Sequence, residues 1–308
     1  MSFTLASSVE HDRRRHALKA CGLDPDLAMT RGASYANEAW LGDEVVLRVN
    51  WRGVGRLARE ARIAARVPRE AKYPEILAVG DDDELEWMLT RRVPGVDLGR
   101  AWAGMSSALR ERAIHELARA LAAIHATPTD GIPDDIMPPH TLPLDDLLDL
   151  FDDVRDIGGD RFTLDAAEAF VRERWDAFDD ADRGLVHGDP HLENVVWDGE
   201  HVSAVIDLEW SRPSWIHADL EILLAVADHP ALFASAEYEH EVIARDYADV
   251  PRWLAAAQPA WFAHPRLVDR LEVLFVSRTL GHLIDGNSPI RWRHLQAILD
   301  GMSYLRRR

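Results

Sequence analysis

His187-Gly188-Asp189-Pro190-His191-Leu192-Glu193-Asn194 runs directly into Val195-Val196-Trp197, Asp198-Gly199 and a second apolar run, 202–206, that ends at Asp207. The apolar triplet reads as a short strand, Asp198-Gly199 as a hairpin turn, and 202–206 as the returning strand. In an antiparallel hairpin the residue before the first strand lies beside the residue after the second. Asn194 is therefore expected next to Asp207, with Asp189 upstream on the entering loop. An amide oxygen beside a carboxylate is a hard-oxygen pair of the kind Mg²⁺ accepts. A second carboxylate nearby can orient a hydroxyl and take its proton. A polar loop feeding a hairpin would explain any one of these residues, but it gives no reason for Asp207 at the end of the returning strand.

The chain has 308 residues, enough for one large domain or two modest ones. One cysteine, Cys21, excludes an intrachain disulfide and suits a reducing cytoplasm. The first twelve residues lack a basic-then-apolar signal pattern, and no apolar run approaches the roughly 18 residues of a membrane span. A cytoplasmic protein is expected. Lys and Arg number 35 against 53 Asp and Glu, a net charge of −18, which disfavours nucleic acid and anionic membrane as partners. Such a field can steer a cationic small molecule, and it can equally serve solubility.

Along the chain, 1–28 reads as a helical lead-in with a turn at Asp24-Pro25. Short strands follow: 38–41, then 45–49 with Val45, Leu47 and Val49 on one face and Val46 and Arg48 on the other. A helix over 57–67 would carry Ala58, Ala61 and Ala65 on one stripe, with Glu60 within it. Two more strands, 75–79 and 86–90, flank an acidic turn, and strand pattern ends in Thr90-Arg91-Arg92-Val93-Pro94-Gly95. Beyond it the chain is mostly helical. Ile114, Leu117, Leu121 and Ile124 form an apolar stripe, 131–142 is a Pro-rich connector, and Leu144, Leu147, Leu148 and Phe151 face inward on a helix crowded with aspartates.

His187-Gly188-Asp189, Asn194, Ile206-Asp207 and the later Ala218-Asp219-Leu220, in that order and spacing, resemble the aminoglycoside phosphotransferases and related small-molecule kinases. Glu193 departs from the pattern, since many relatives carry glycine there. The resemblance implies an α+β, two-lobed protein-kinase-like fold. Residues 1–93 would form a small antiparallel-sheet, nucleotide-binding N-lobe with its helical lead-in, and 94–308 a mostly helical C-lobe holding the catalytic loop and acceptor site. It implies Asp189 as base, Asn194 and Asp207 as Mg²⁺ ligands, and His187 and Asp219 as residues that orient the loop. Arg48, where protein kinases use lysine, would grip the α- and β-phosphates of ATP or GTP, fixed by Glu60; a purely structural Arg48–Glu60 pair is the alternative. Ser34 and backbone N–H groups of the 31–37 turn would contact phosphate, and the main chain of Arg91 and Val93 would read the base. The implied reaction is phosphoryl transfer to a hydroxyl of a small, cationic antibiotic such as an aminoglycoside, conferring resistance. Basic cyclic peptides, macrolides, choline-like amino alcohols and homoserine are the alternative acceptors. Glu209, Trp210, Asp149 and Asp152 are the candidate substrate residues, although a solvated face explains the acidic helix as well.

Rival classes fare worse. Gly53-Val54-Gly55-Arg56-Leu57-Ala58 mimics a dinucleotide fingerprint, but Arg48 at the centre of the preceding strand does not suit a buried parallel sheet. His187 and His191 stand four apart with Gly188 and Pro190 between them, which breaks the helix such a metal pair needs. No G-x-S-x-G elbow supports a hydrolase. A non-catalytic kinase-fold binding protein would be expected to have lost Asp189, Asn194 or Asp207, and all three are present. Only eleven residues separate Asp207 from Asp219, so a long protein-kinase activation segment is not expected.

Overall fold

Val45, Leu47 and Val49 alternate with Val46 and Arg48, and the two faces of that strand meet different partners. The computed structural model describes residues 7–32, 37–51, 55–82, 85–132, 143–286 and 288–307. Five strands, β1 (Thr30–Arg31), β2 (Glu38–Leu41), β3 (Val45–Asn50), β4 (Ile76–Asp81) and β5 (Glu86–Arg91), form one sheet in the order β1-β2-β3-β5-β4. Every pairing in it is antiparallel. That pattern removes the dinucleotide reading of 53–58, which needs parallel strands joined by a helix.

Helix α1 (Ser8–Ala20) opens with a capping box: the Ser7 side chain accepts the Glu10 N–H, and the Glu10 carboxylate accepts the Ser7 N–H at 2.7 Å. Its buried Ala17 and Leu18 pack with Trp40, Leu47, Val49, Trp87 and Leu89 on one face of the sheet. The other face takes α2 (Arg56–Ala64), through Leu57 and Ala61 against Met88. The expected stripe of Ala58, Ala61 and Ala65 is only partly realised. The helix ends at Ala64, Ala65 is exposed, and the buried residues are Leu57, Arg59, Glu60, Ala61 and Ile63, of which Leu57, Glu60 and Ala61 have the i, i+3, i+4 spacing of one face.

The chain leaves the sheet at Arg91 and starts β6 (Val96–Asp97), which pairs with β8 (Val195–Trp197). Gly95 makes that crossing possible. Its φ of +127° is in the region closed to most side chains, and a Cβ there would stand 2.3 Å from the Trp197 carbonyl oxygen. The remainder is α3 (Leu98–Ala101), α4 (Ser107–His125), α5 (Leu144–Asp156), α6 (Arg161–Arg174), β7 (Arg183–Val186), β9 (Val202–Val205), β10 (Arg212–Trp215), α7 (His217–Asp228), α8 (Val250–Ala257), α9 (Leu267–Asp285) and α10 (Pro289–Leu299).

Ile114, Leu117, Leu121 and Ile124 of α4, together with Leu147 and Phe151 of α5, are buried in one apolar cluster shared with α7 and α9. Two small sheets, β10-β7 and β6-β8-β9, are let into this helical part. Among the described residues no helix is long and apolar enough to cross a membrane.

Gly95→Ala should lower stability by about 2 kcal/mol through backbone strain and the Trp197 contact. Urea unfolding measures this. An unchanged midpoint would show that the crossing does not require the glycine.

Candidate active site

The loop 187–194 hangs between β7 and β8, and a buried carboxylate holds its start. Asp219, in the first turn of α7, accepts the His187 N–H at 2.9 Å on one oxygen and the Gly188 N–H at 2.9 Å on the other. His125, at the end of α4, lies 2.8 Å from the same carboxylate. Burial pushes the Asp219 carboxyl up, but the His125 hydrogen bond, the His125 and His187 charges and the Gly188 N–H outweigh it and hold it below the usual range. His187 is pinned in turn. Its Nε2 donates to the Ile206 carbonyl at 3.0 Å, and its Nδ1 accepts the Asp189 N–H at 3.3 Å. Gly188 has φ +90°, and a Cβ there would lie 2.3 Å from the Trp210 carbonyl oxygen, so the loop turns directly against the 208–210 segment.

The hairpin forms, but its register is one residue off the expected one: an irregularity between Val196 and Trp197 pairs Val195 with Val205, the Ile206 N–H donates to the Asn194 carbonyl at 2.9 Å, and Asp207 follows one residue beyond the position opposite Asn194. Asp198 closes the turn by accepting the N–H groups of Glu200 and His201 at 2.9 and 2.7 Å. Asn194 donates its side-chain N–H to the Asp189 carbonyl oxygen at 2.9 Å, which turns its amide oxygen the other way. Asp207 follows the returning strand in the left-handed region, φ +68°, with its side chain one-third exposed. A non-glycine residue held there is strained by about 1 kcal/mol. Amide and carboxylate oxygens suit Mg²⁺, which takes one or two protein ligands and fills its octahedron with phosphate and water oxygens. Among the described residues no group of three or more His, Cys, Asp or Glu is placed to hold a metal alone.

Asp189 lies 3.4 Å from His191 Nε2. Burial raises the Asp189 carboxyl, yet the hydrogen bond and charge of His191, with the His187 and Arg278 charges, bring it below its ordinary value. Burial lowers His191, and Asp189, Glu193 and Asp207 outweigh that and raise it.

On the sheet side, Arg48 donates to Glu60 at 2.6 Å and to Asp207 at 3.3 Å. The other Glu60 oxygen accepts the Tyr73 hydroxyl at 2.7 Å and the Leu208 N–H at 3.0 Å. The fully buried Glu60 therefore joins β3, the segment before β4 and the residue after Asp207. Arg91 ends β5 and Val93 lies on the crossing between the sheet and β6. Ser34 lies outside the described residues.

Glu209 follows Asp207 by two residues and is turned inward. It is buried, accepts from Asn37 at 3.3 Å and stands 3.8 Å from Arg48. Burial, with the Asp207 charge, pushes its carboxyl up to about 7. Trp210 lies under Arg56, whose guanidinium is 5.4 Å from the ring centroid. Asp149 and Asp152 are exposed on α5, and Asp152 pairs with Arg155 at 2.8 Å; their helix meets the core through Leu147 and Phe151 instead.

Three contributors went unseen in the sequence: His125, Tyr73 and the role of Glu193. The Glu193 carboxylate accepts the Ser235 N–H at 2.6 Å and the Tyr238 hydroxyl at 2.7 Å, anchoring the loop to the segment after α7. Its place where relatives carry glycine was the available signal.

A model of the phosphotransferase enzyme family, APH, matches residues 30–267. Among solved structures, aminoglycoside phosphotransferase APH(4)-Ia is similar with a TM-score of 0.68 and 18% identity, covering 96% of this chain and 98% of its own. A choline/ethanolamine kinase family protein from Mesorhizobium loti has a TM-score of 0.60 at 18% identity over 89% of this chain and 88% of its own. Aminoglycoside phosphotransferase APH(3'')-Id from Streptomyces rimosus has 0.57 at 18% identity, over 85% and 96%. No curated protein matches the chain. At these identities the structural likeness establishes the kinase-like α+β fold.

Two changes probe the site's electrostatics. Asp219→Asn should cost about 3 kcal/mol, because it breaks a buried charged network while leaving its partners in place; an unfolding curve with an unmoved midpoint would refute it. The folded-state carboxyl of Glu209 lies above its unfolded value of 4.5, so its ionisation removes stability as pH rises from about 4.5 through about 7. With EDTA present, Glu209→Gln should therefore stabilise the protein more at pH 8 than at pH 5. Equal shifts at the two pH values would contradict the assignment.

Proposed function

The chain belongs to the phosphotransferase enzyme family and is a small-molecule phosphotransferase; from that premise we propose that it moves the γ-phosphoryl group of ATP or GTP to a hydroxyl of a small acceptor, with Asp189 as the base. The observation that carries this reading is the convergence of Asp189, Asn194 and Asp207 at one hairpin whose entering loop is fixed by Asp219. One relative was solved in a ternary complex with ADP and hygromycin B, which supports a nucleotide and a small acceptor as joint ligands.

In this reading Asp189 orients the acceptor hydroxyl and takes its proton as the new phosphate ester bond forms and the bond to the nucleoside diphosphate breaks. His187 and Asn194 fix the backbone that presents Asp189. Arg48, locked by Glu60, holds α- and β-phosphate oxygens, and main-chain groups at Arg91 and Val93 meet the base. Asn194 and Asp207 would hold Mg²⁺, which supplies charge neutralisation at the phosphates. Because such transition states are loose, positioning and electrostatics carry most of the rate.

A cationic antibiotic acceptor, with resistance as its consequence, draws support from the aminoglycoside relatives and from the net charge of −18. The charge immediately beside Asp189 has the other sign.

Incubating the protein with Mg²⁺, ATP or GTP and a panel of hydroxyl compounds should give a one-phosphoryl mass gain in at least one. Asp189→Asn should lower turnover by about 10²-fold or more while nucleotide binding persists. Normal turnover in that variant would remove Asp189 from the role of base.

A further inference from the structure

From Asp189 a line of contacts leads away from the nucleotide side. The His191 ring lies 6.4 Å from Phe233, and the Arg278 guanidinium lies 6.0 Å from the same ring. Arg278, buried on α9, is held by both oxygens of Glu221 at 2.7 Å, so its charge is already answered. His282 stands one turn further along α9. On α10, His294 stacks on His229 at 4.3 Å and meets Phe275 at 6.1 Å, one turn before Arg278. Arg291 precedes His294 by three residues and shares that face of α10.

Arg291 is half-buried, and its guanidinium has no hydrogen bond or ion pair among the described residues. Burial and the Arg278 charge push it down to about 10, against the pull of Glu221, so it stays charged near neutral pH. Burial foremost, with Arg291 and Arg278 among the neighbouring cations, pushes His282 and His294 down to about 4 and leaves both neutral. Among the described side chains, Glu221 is engaged by Arg278, and Asp228 lies 3.2 Å from His229. A half-buried cation without an anion is costly to keep. A polycation entering between α9 and α10 would meet that cation.

We propose that the acceptor carries a compact anionic group, a carboxylate or a phosphate, which Arg291 binds beside Arg278, His282 and His294 while the acceptor hydroxyl reaches Asp189. The inference rests on the phosphoryl-transfer reading and narrows its substrate class. A guanidinium fork matches both anions in bidentate geometry, and neutral imidazoles can donate further hydrogen bonds.

The test uses the full chain with Mg-ATP and paired probes: serine, homoserine and 3-hydroxybutyrate; their methyl esters; sugar monophosphates; choline; and an aminoglycoside. Mass spectrometry identifies product, and KM and kcat follow for each active probe with wild type, Arg291→Lys and Arg291→Ala. Calorimetric Mg-ADP binding verifies that each variant is folded. An anionic probe should be the preferred substrate. Arg291→Ala should raise its KM about 10- to 100-fold, as expected for losing a charged hydrogen bond, with a smaller change in kcat and partial recovery in Arg291→Lys. Acids active without sugar phosphates identify a carboxylate as the bound group, and the reverse identifies a phosphate. Preference for choline or the aminoglycoside, no activity on any anionic probe, or an Arg291→Ala KM equal to wild type would each overturn the proposal. Absence of Mg-ADP binding in the wild type would instead remove the phosphoryl-transfer reading beneath it.

Discussion

A carboxylate sealed from water must be met by hydrogen-bond donors, and Asp219 meets its donors on the loop it supports: the N–H groups of His187 and Gly188, with His125 closing the other side. Three elements distant in sequence, the end of α4, the exit of β7 and the start of α7, are thereby brought to one point. The position of the Asp189 carboxylate follows from that arrangement. Gly188 must take a positive φ to keep both N–H groups on Asp219, and its missing side chain lets the loop touch Trp210. His187 then spans to Ile206, so the loop and the returning strand of the hairpin are tied before any ligand is considered.

Glu60 makes the corresponding junction on the other side. It receives Arg48 from the sheet, Tyr73 from the segment before β4 and the Leu208 N–H from the residue after Asp207. Burial raises its carboxyl, and the Arg48 charge opposes that shift, so the pair is held together by mutual need more than by surplus attraction. The strained backbone of Asp207 lies between the two junctions, braced by His187 on the Ile206 carbonyl and by Glu60 on the Leu208 N–H. Strain of this kind persists where the surroundings over-determine a conformation. Here they fix the backbone from which the Asp207 carboxylate meets Arg48 at 3.3 Å.

What could be read from the sequence was what short-range periodicity encodes. The Asp198-Gly199 turn and its flanking strands specify the hairpin that carries Asn194 at its entry and Asp207 after its exit, though not the irregularity that shifts the register by one, and β3 alternation separates Leu47 and Val49 from Arg48. The partners that fix those groups stand 94 residues away for His125 and Asp219, 45 for Glu193 and Tyr238 and 57 for Arg278 and Glu221. No local pattern reports such pairings. Glu209 shows the limit most clearly. Its sequence position names it only as a candidate substrate residue, and the short turn 208–210 folds it inward against Arg48 and Asn37.

Net charge decides little for a related reason. The excess of acids is a property of the whole chain, and much of it lies on exposed positions such as Asp149 and Asp152, screened within roughly a Debye length of 8 Å. What a ligand feels at Asp189 depends on the few groups that share its low-dielectric surroundings. There Arg278 is answered by both oxygens of Glu221, and the groups whose charge acts on the Asp189 carboxyl are His191, His187 and Arg278. A surface field governs how often a charged molecule arrives, and it acts weakly on which one is retained. Retention is decided by whether a buried charge gains or loses a partner, so net charge summed over the whole chain is a poor guide to which acceptor a site keeps.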